Sequence, residues 1–317
     1  MATPSLAIAI VTHNHAAEIV RCLDALEGAG KASGAHVVVW DSGSTDDSAE
    51  MASRHPLNPT VMTGGNIGFG AGCNMIANAL PETIENILFL NPDTEVMFSV
   101  FDLLKYCDSL GDYGCVGVTQ RAVGDREIVW SWDYFPSPRL EWEKALRRPL
   151  LQRSLPGYEK DRKVDWVMGS FLLIPRKTFV DLRGFDERFY LFNEEVDLCH
   201  RINSAGQDVI YVNEFEYLHK RDGKDTLWRE VVRINSRRRY DDKWLSRPSR
   251  IACQLAQSYR WLTHLVSPIR PSDRRWAVAR LLATWDLLHA ETPHRRGLIK
   301  RRGVTRPECS RVVTTWE

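Results

Sequence analysis

Several features that would assign this sequence to a membrane-spanning or secreted class are missing. No apolar run approaches the roughly 18 residues that a transmembrane helix needs. The opening residues, Met-Ala-Thr-Pro-Ser, lack the positively charged start of a secretory signal peptide. The seven cysteines are odd in number and include no CxxC pair, which argues against a disulfide framework or a zinc site. We therefore expect a cytoplasmic protein with reduced thiols.

Internal repeats and glycine- or serine-rich linkers are also missing. The 317 residues are 44% hydrophobic and 26% charged, which excludes disordered and fibrous classes. The net charge of +1 hides an asymmetry, because residues 1–246 carry eight more acidic than basic side chains and residues 247–317 carry nine more basic than acidic ones. We predict a globular region over 1–246 and a basic appendage over 247–317.

The first 120 residues alternate apolar runs with helical stretches. Predicted strands cover 6–11, 37–40, 60–62, 87–90 and 114–118. Predicted helices cover 17–26, 46–54, 69–79 and 100–109. Such alternation predicts an α/β fold with a mostly parallel sheet flanked by helices. Ligands of such sheets bind beyond the carboxyl ends of the strands, so the residues after each strand are the candidates for a site.

The second half is less regular. Residues 164–175 predict one long apolar strand, followed by a helix over 194–204 with Asn193 as its N-cap. Shorter strands are predicted over 209–212 and 216–218, and a charged helix over 226–245. Two apolar stripes at helical spacing then predict a C-terminal α-helical appendage. Their members are residues 251, 255, 259, 262 and 266, and residues 278, 281, 282, 285 and 288.

Polar groups follow several of the predicted strands. Thr12 and Asn14 follow the first strand and Asp41 the second, where they suit a base or ribose. The DSGSTD segment that begins at Asp41 is equally good turn chemistry. Asp93, in an Asn-Pro-Asp sequence, suits a hard metal ion bound together with a diphosphate, although the same tripeptide is a common turn.

A glycine-rich segment, GGNIGFGAGCN over residues 64–74, opens the third helix. Backbone N–H groups at such a loop can approach a phosphate. The spacing is G-x-G-x-G and lacks the final glycine of the dinucleotide fingerprint, which disfavours a nicotinamide or flavin enzyme.

Adjacent carboxylates begin a later helix. Glu194 and Glu195 are explained at first sight by the favourable helix dipole. They follow an aromatic stretch that should be partly buried, and two like charges side by side raise one pKa toward the range of a general base. His219, directly after an apolar strand, is either a packed core residue or a ligand.

These segments resemble, in order and spacing, the motifs of family 2 glycosyltransferases. The nearest subgroup is the bacterial rhamnosyltransferase-like and galactofuranosyltransferase-like enzymes, and the resemblance covers about residues 5–245. It rests on LAIAIVTHN (6–14), DSGSTD (41–46), NIGFGAGCN (66–74), LNPD (90–93), WVMGSFLLI (166–174), GFDERFYLFNEEVDLCHR (184–201) and His219. The resemblance implies a GT-A fold, a nucleotide-sugar donor, a divalent cation and inversion at the anomeric carbon.

The resemblance also implies a donor site. Asp93 and His219 match the protein ligands of Mg²⁺ or Mn²⁺, with Asn91 in place of the family's first aspartate. Asp41 would lie near the base and Asn66 by the ribose or diphosphate. The implied nucleotide-sugar-binding positions are Thr12, Asn14, Asp41, Asn66 and Asp93.

The implied catalytic and acceptor positions lie further along the chain. Glu194 and Glu195 match a motif whose second member is the usual general base, so we expect Glu195 in that role. That member is a glutamate where the family has an aspartate, which leaves Glu194 as the alternative base. Trp166 and Gly169 match positions that line the acceptor pocket.

The expected enzyme is a hexosyltransferase of cell-wall or polysaccharide biosynthesis. dTDP-rhamnose is the favoured donor, a UDP-sugar the second choice, and the acceptor a glycan or lipid-linked glycan. The basic appendage contacts the inner face of the membrane peripherally, packs on the catalytic domain or forms a homodimer, and no motif supports nucleic-acid binding. A nucleotidyl-transferring protein is disfavoured because no lysine or arginine precedes Arg21. The remaining alternative is a non-catalytic protein of the same fold that binds sugar nucleotides or carbohydrate.

Overall fold

The computed structural model describes residues 6–28, 31–146, 158–220, 226–266 and 271–287. Its strands are β1 (Leu6–Thr12), β2 (His36–Asp41), β3 (Thr60–Thr63), β4 (Asn86–Leu90), β5 (Thr94–Val96), β6 (Tyr113–Ala122), β7 (Ile128–Val129), β8 (Trp132–Asp133), β9 (Arg162–Val164), β10 (Trp166–Val167), β11 (Phe171–Pro175) and β12 (Asp208–His219). Its helices are α1 (Ala16–Glu27), α2 (Ser48–Ser53), α3 (Phe69–Ala79), α4 (Val100–Asp108), α5 (Pro138–Leu146), α6 (Arg176–Asp181), α7 (Glu194–Ser204), α8 (Leu227–Trp244), α9 (Arg247–Val266) and α10 (Pro271–Thr284).

A central sheet organises the molecule, with strand order β3-β2-β1-β4-β11-β6-β12-β5. Pairing is parallel from β3 to β4 and again between β6 and β12, and β11 runs antiparallel between β4 and β6. All seven residues of β1 are buried, since apolar clusters cover both faces of the sheet. The α/β architecture with a mostly parallel sheet is thus confirmed.

The predicted alternation over the first 120 residues is confirmed element by element. Each predicted strand and helix is present, with ends displaced by a few residues at most. The short strand β5 was not predicted, because its three residues carry no periodic signal. It pairs antiparallel with β12 and thereby fixes the edge of the sheet next to Asn91-Pro-Asp93.

Two predictions for the second half are wrong in detail. The single strand over 164–175 is broken, because β10 pairs with β8 in a separate two-stranded sheet and β11 joins the central sheet. The residues between them leave the sheet at Met168–Ser170. The two strands over 209–218 are one strand, β12, with an irregularity between Val212 and Glu216.

The C-terminal helices pack on the rest of the molecule. α9 lies against α5, and α10 lies against α8 and α9. Four members of the first predicted stripe, at 251, 255, 259 and 262, are exposed. The side chain of position 266 and all of position 288 fall outside the described residues. Within the described ranges, each helix is too short or too polar to cross a membrane.

Candidate active site

A cleft with a volume of about 1010 Å³ lies at the carboxyl edge of the parallel strands. This size suits a ligand larger than a single sugar. Most of the predicted site residues line it, although they are spread over more than 200 positions of the chain. They are Thr12, Asn66, Asp93, Trp166, Gly169, Glu194, Glu195 and His219.

Asp93 and His219 meet because of the sheet register. His219 ends β12 opposite Thr94 of β5, so its ring reaches back to the carboxylate just before β5. Nε2 of His219 lies 3.1 Å from Oδ1 of Asp93. Burial alone would raise the pKa of Asp93, but the hydrogen bond and charge of His219 outweigh it and hold that pKa below its ordinary value. The carboxylate is therefore ionised at neutral pH.

The same pair fits a divalent cation. Oδ1 of Asp93 and Nε2 of His219 lie 3.1 Å apart, and such a carboxylate–imidazole pair could hold a divalent cation between them. Both side chains face the cleft, which leaves the remaining positions around an ion to water or phosphate oxygens. A carboxylate oxygen and an imidazole nitrogen also suit Mn²⁺.

A second carboxylate–histidine group lies elsewhere, at Asp24, Glu27 and His55. His55 uses both ring nitrogens within the protein, since Nε2 contacts Asp24 at 3.0 Å and Nδ1 accepts from the backbone N–H of Leu57 at 3.1 Å. None of these residues lines the cleft. The group is accounted for by local structure.

Glu194 and Glu195 begin α7 and lie in the middle of the cleft. Burial, with the charge of Glu195, raises the pKa of Glu194 well above its ordinary value. Burial raises the pKa of Glu195 to about 7, against the opposing effect of backbone hydrogen bonds. Oε2 of each glutamate is buried without a hydrogen-bond partner among the described residues. Since two like charges this close oppose each other, Glu195, with the smaller rise in pKa, is the member that ionises first as the pH increases.

The backbone before this pair is unusual. Phe192 has φ 69° and Asn193 has φ 66°, so two consecutive non-glycine residues occupy the left-handed region. Asn193 precedes α7 as predicted, but its side chain makes no capping hydrogen bond. The strained turn instead aims the first two helical side chains into the cleft, a feature typical of functional sites.

The glycine-rich segment packs closely at several positions. Gly68 has φ 94°, and a Cβ there would lie 2.2 Å from the carbonyl oxygen of Tyr190. A Cβ at Gly70 would lie 2.9 Å from Phe185. These glycines allow α3 to lie against the chain that leads to α7. The Tyr190 hydroxyl donates to Oδ1 of Asn66 at 2.8 Å, which orients that amide toward the cleft.

Two predicted nucleoside-binding residues do not line the cleft. Oδ2 of Asp41 accepts from the backbone N–H of Ser44 at 3.0 Å, and Oδ1 accepts from its hydroxyl. Oδ1 of Asn14 accepts from the backbone N–H of Thr45 at 2.7 Å. Both therefore hold the loop after β2, as the turn interpretation of that segment expected. Thr12 does line the cleft, and its buried hydroxyl has no hydrogen-bond partner within the described part of the chain.

The break between β10 and β11 creates the other wall of the cleft. Trp166 presents part of its indole there and donates from Nε1 to the carbonyl oxygen of Tyr134 at 3.2 Å. A Cβ built at Gly169 would contact Cβ of Glu195 at 3.4 Å. The bare glycine thus keeps open the space beside Glu195, where an acceptor would lie.

The prediction from sequence missed a basic wall of the cleft. Arg229, Arg233 and Arg237 of α8 and Arg260 of α9 line the cleft, together with Trp261. The three α8 arginines are four residues apart and share one helix face, a signal that the sequence contains. Only the tertiary packing of α8 and α9 brings these arginines to the cleft.

Comparisons with known proteins agree with this geometry. The glycosyl transferase family 2 profile matches residues 7–180. The chain belongs to this family. It is 29% identical over 242 residues to the N-acetylglucosaminyl-diphospho-decaprenol L-rhamnosyltransferase of Mycobacterium tuberculosis, covering 68% of this chain and 76% of that protein. It is 28% identical over 225 residues to rhamnosyltransferase WbbL of Escherichia coli K12, covering 67% of this chain and 82% of WbbL.

Two solved structures share the fold of this glycosyltransferase. GalNAc-T7, solved with UDP, GalNAc and Mn²⁺, has a TM-score of 0.58 at 13% identity, covering 88% of this chain. The alignment spans only 55% of the GalNAc-T7 chain. Mannosyltransferase PcManGT from Pyrobaculum calidifontis, solved with GDP-Man and Mn²⁺, has a TM-score of 0.53 at 16% identity, covering 94% of this chain and 79% of PcManGT. The expected GT-A fold is confirmed.

Proposed function

We propose that this glycosyltransferase is an inverting enzyme that moves rhamnose or another hexose from a nucleoside diphosphate to a hydroxyl of a glycan or lipid-linked acceptor. Residues 1–246 form its catalytic domain, and residues 247–317 form a basic C-terminal region whose described part contains the helices α9 and α10. The observation that carries the proposal is one cleft lined both by Asp93 with His219 and by the Glu194–Glu195 pair. A donor diphosphate and an acceptor hydroxyl need these two kinds of group on either side of a sugar.

The proposed transfer moves an electron pair to the leaving diphosphate and a proton from the acceptor hydroxyl to a glutamate. The acceptor oxygen bonds to the anomeric carbon from the face opposite the diphosphate, while the bond to the phosphate oxygen breaks and its electrons leave with the nucleoside diphosphate. The hydroxyl proton passes to Glu195, whose pKa of about 7 suits a base at neutral pH. Glu194, with the more strongly raised pKa, stays protonated and adds no second negative charge.

Asp93 and His219 would hold Mg²⁺ or Mn²⁺ against the donor diphosphate. A divalent cation there supplies Lewis-acid stabilisation of the charge that develops on the leaving phosphates. Asn66, oriented by Tyr190, would contact the ribose or diphosphate, and Thr12 the nucleoside. Asp41 and Asn14 act on the nucleoside indirectly, by holding the loop that borders it.

The relatives' names support the substrate class. The Mycobacterium tuberculosis relative is a rhamnosyltransferase named for a lipid-diphosphate-linked sugar. We extend that to this chain as a lipid-linked acceptor, within cell-wall or polysaccharide biosynthesis, with dTDP-rhamnose as the favoured donor and a UDP-sugar as the second choice. The non-catalytic alternative is disfavoured, because carbohydrate binding alone does not need a buried glutamate pair with raised pKa values.

A lipid-linked acceptor also favours membrane contact over a homodimer. An apolar row on α9, formed by Ile251, Leu255, Tyr259 and Leu262, is 41–52% exposed. Residues 247–317 carry the basic excess, which complements an anionic lipid surface. We propose that this row lies peripherally on the inner face of the membrane.

The double variant Leu255→Ser/Leu262→Ser should lose binding to phosphatidylglycerol vesicles, whereas Val180→Ser, similarly exposed on α6, should not. Unchanged vesicle binding together with a lost dimer in solution would favour the homodimer.

The activity is tested in two steps. Thermal shift with Mn²⁺ and a panel of nucleotide sugars should single out one donor, because a bound ligand stabilises the fold in proportion to its affinity. That donor should then release nucleoside diphosphate and yield a glycosylated product only when a lipid-linked N-acetylglucosamine acceptor is present. Donor binding without product, with all acceptors tried, would support the non-catalytic alternative.

A further inference from the structure

The cleft has a helical half that the donor, the cation pair and the glutamates do not account for. It runs from the turn at Phe192 toward α5 and α9. The guanidinium of Arg233 lies 4.7 Å from the ring centroid of Phe192, two residues before Glu194. From there the α8 face continues to Arg237, which contacts Glu141 of α5 at 3.2 Å. We call the α8 arginines that line the cleft, Arg229, Arg233 and Arg237, the arginine lane. It begins beside the Glu194–Glu195 pair and leads away from it.

The lane is positively charged overall. The lining side chains of this half comprise five basic and three acidic ones. The basic ones are Lys144, Arg229, Arg233, Arg237 and Arg260, and the acidic ones are Asp133, Glu141 and Glu230. The acidic members already make ion pairs, Asp133 with Lys144 at 2.8 Å and Glu230 with Arg233 and Arg280. The basic side chains outnumber the acidic ones on this wall, which favours an anionic ligand.

Arg237 shows that the lane has unused donor capacity. Its Nε donates to Asp241 at 2.8 Å and one terminal nitrogen to Glu141, but Nη2 is buried with no hydrogen-bond partner among the described residues. A buried guanidinium nitrogen without an acceptor is unfavourable. An oxygen-rich anion in the cleft would satisfy it.

We propose that the arginine lane binds the diphosphate of a lipid-diphosphate-linked acceptor sugar. This rests on the proposed function and names the chemistry of its acceptor. Arginines four residues apart on a helix have Cβ atoms about 5–6 Å apart. Their guanidinium groups can therefore reach adjacent phosphates, each with paired N–H donors. If the acceptor sugar lies between Glu195 and Phe192, its diphosphate contacts Arg233. Its lipid then extends along α9, where Trp261 lines the cleft and the apolar row is exposed.

The donor diphosphate is the other source of the same chemistry. It belongs at the opposite end of the cleft, because Asp93 and His219 form the cation pair there and Lys220 lines that end. The two sources make different kinetic predictions. Arginines that hold the acceptor change the KM of the acceptor, and arginines that hold the donor change the KM of the donor and the affinity for a free nucleoside diphosphate.

The test compares two acceptors with each variant. One is N-acetylglucosaminyl diphosphate on a short prenyl chain, and the other is uncharged octyl N-acetylglucosaminide. Arg233→Gln should raise the KM of the diphosphate acceptor about tenfold or more, the loss expected for a charged hydrogen bond. It should leave kcat, the KM of the donor and the KM of the octyl glycoside unchanged. Arg233→Lys should recover part of the loss, since it keeps the charge without the planar fork. Arg139→Gln, an exposed α5 arginine outside the cleft, is the matched control.

The outcomes separate this inference from the proposed function. Equal KM changes for both acceptors, a raised KM for the donor, or no change would each overturn the arginine lane while transfer itself persists. If no transfer occurs with either acceptor, calorimetric titration of the diphosphate acceptor without donor still decides. A tenfold weaker binding to Arg233→Gln than to the wild type then supports the lane, and equal or undetectable binding to both overturns it.

Discussion

The two halves of the cleft differ in charge and in construction. The half at the sheet edge is acidic and holds Asp93, Glu194 and Glu195, fixed by strand register and by the first turn of α7. The helical half is basic, and side-chain packing of α8 and α9 positions it. Buried carboxylates at the edge of a sheet suit bond making and breaking, whereas a row of arginines on one helix face suits recognition of an anion. Substitutions in the first half should therefore act mainly on kcat and the donor, and those in the second on the acceptor.

The largest expected effect is that of Glu195→Gln. Removal of the proposed base should lower kcat by about 10²–10⁴-fold, because the acceptor hydroxyl then keeps its proton. Donor affinity, measured by calorimetry, should stay near the wild-type value. Glu194→Gln is the matched variant and should retain most of its turnover. If Glu194→Gln loses activity and Glu195→Gln does not, the two glutamates exchange roles.

Asp93→Asn should weaken Mn²⁺-dependent binding of a nucleoside diphosphate by about tenfold or more, equivalent to about 1.4 kcal/mol. The reason is the loss of the ionised ligand next to His219. Calorimetry with Mn²⁺ and with EDTA measures the effect. Asp24→Asn, in the other carboxylate–histidine group, is the control and should bind as wild type. The reverse pattern would move the cation site away from the cleft.

The pH dependence of kcat/KM tests the same half by a different route. Because Glu195 must be ionised and burial raises its pKa to about 7, kcat/KM should rise as the pH increases through about 7 and fall tenfold per unit on the acid side. Arg233→Gln should shift the acceptor KM without moving this midpoint. A midpoint near the ordinary glutamate value of 4.5 would mean that Glu195 is not the base.

The smallest expected effect is on stability. The folded state raises the pKa of Glu194, so it holds this proton more tightly than the unfolded chain does, and stability falls as the pH rises above the ordinary value of 4.5. Glu194→Gln removes that loss. Its Tm should exceed that of the wild type by about 2–4 °C at pH 7.5, and the difference should disappear near pH 4. A lower Tm at pH 7.5 would contradict the raised pKa.

Much of the sheet half was predictable. The β1–β4 strands and their helices follow from apolar periodicity, and the strand-end rule selects Thr12 and Asp93 from the sequence alone. The break at Met168–Ser170 was not predicted, because the apolar residues on both sides of Gly169 and Ser170 suggested one continuous strand. Strand pairing causes the break, because β10 pairs with β8 and β11 pairs with β4. Asp41 and Asn14 hold the loop after β2, and their contact with a nucleoside stays a prediction, because a capped turn and a nucleoside site use the same residue types.

Apolar periodicity and strand-end chemistry are local, so the order of residues alone specifies which segments form the parallel strands and which carboxylates follow them. It also specifies the charge asymmetry of the two regions. The contact of His219 with Asp93, and the position of the α8 arginines at the cleft that holds Glu194, depend on the packing of the whole fold. Those contacts join residues that are distant along the chain. Strand register and helix packing set them, and both follow from how the whole fold buries its apolar surface.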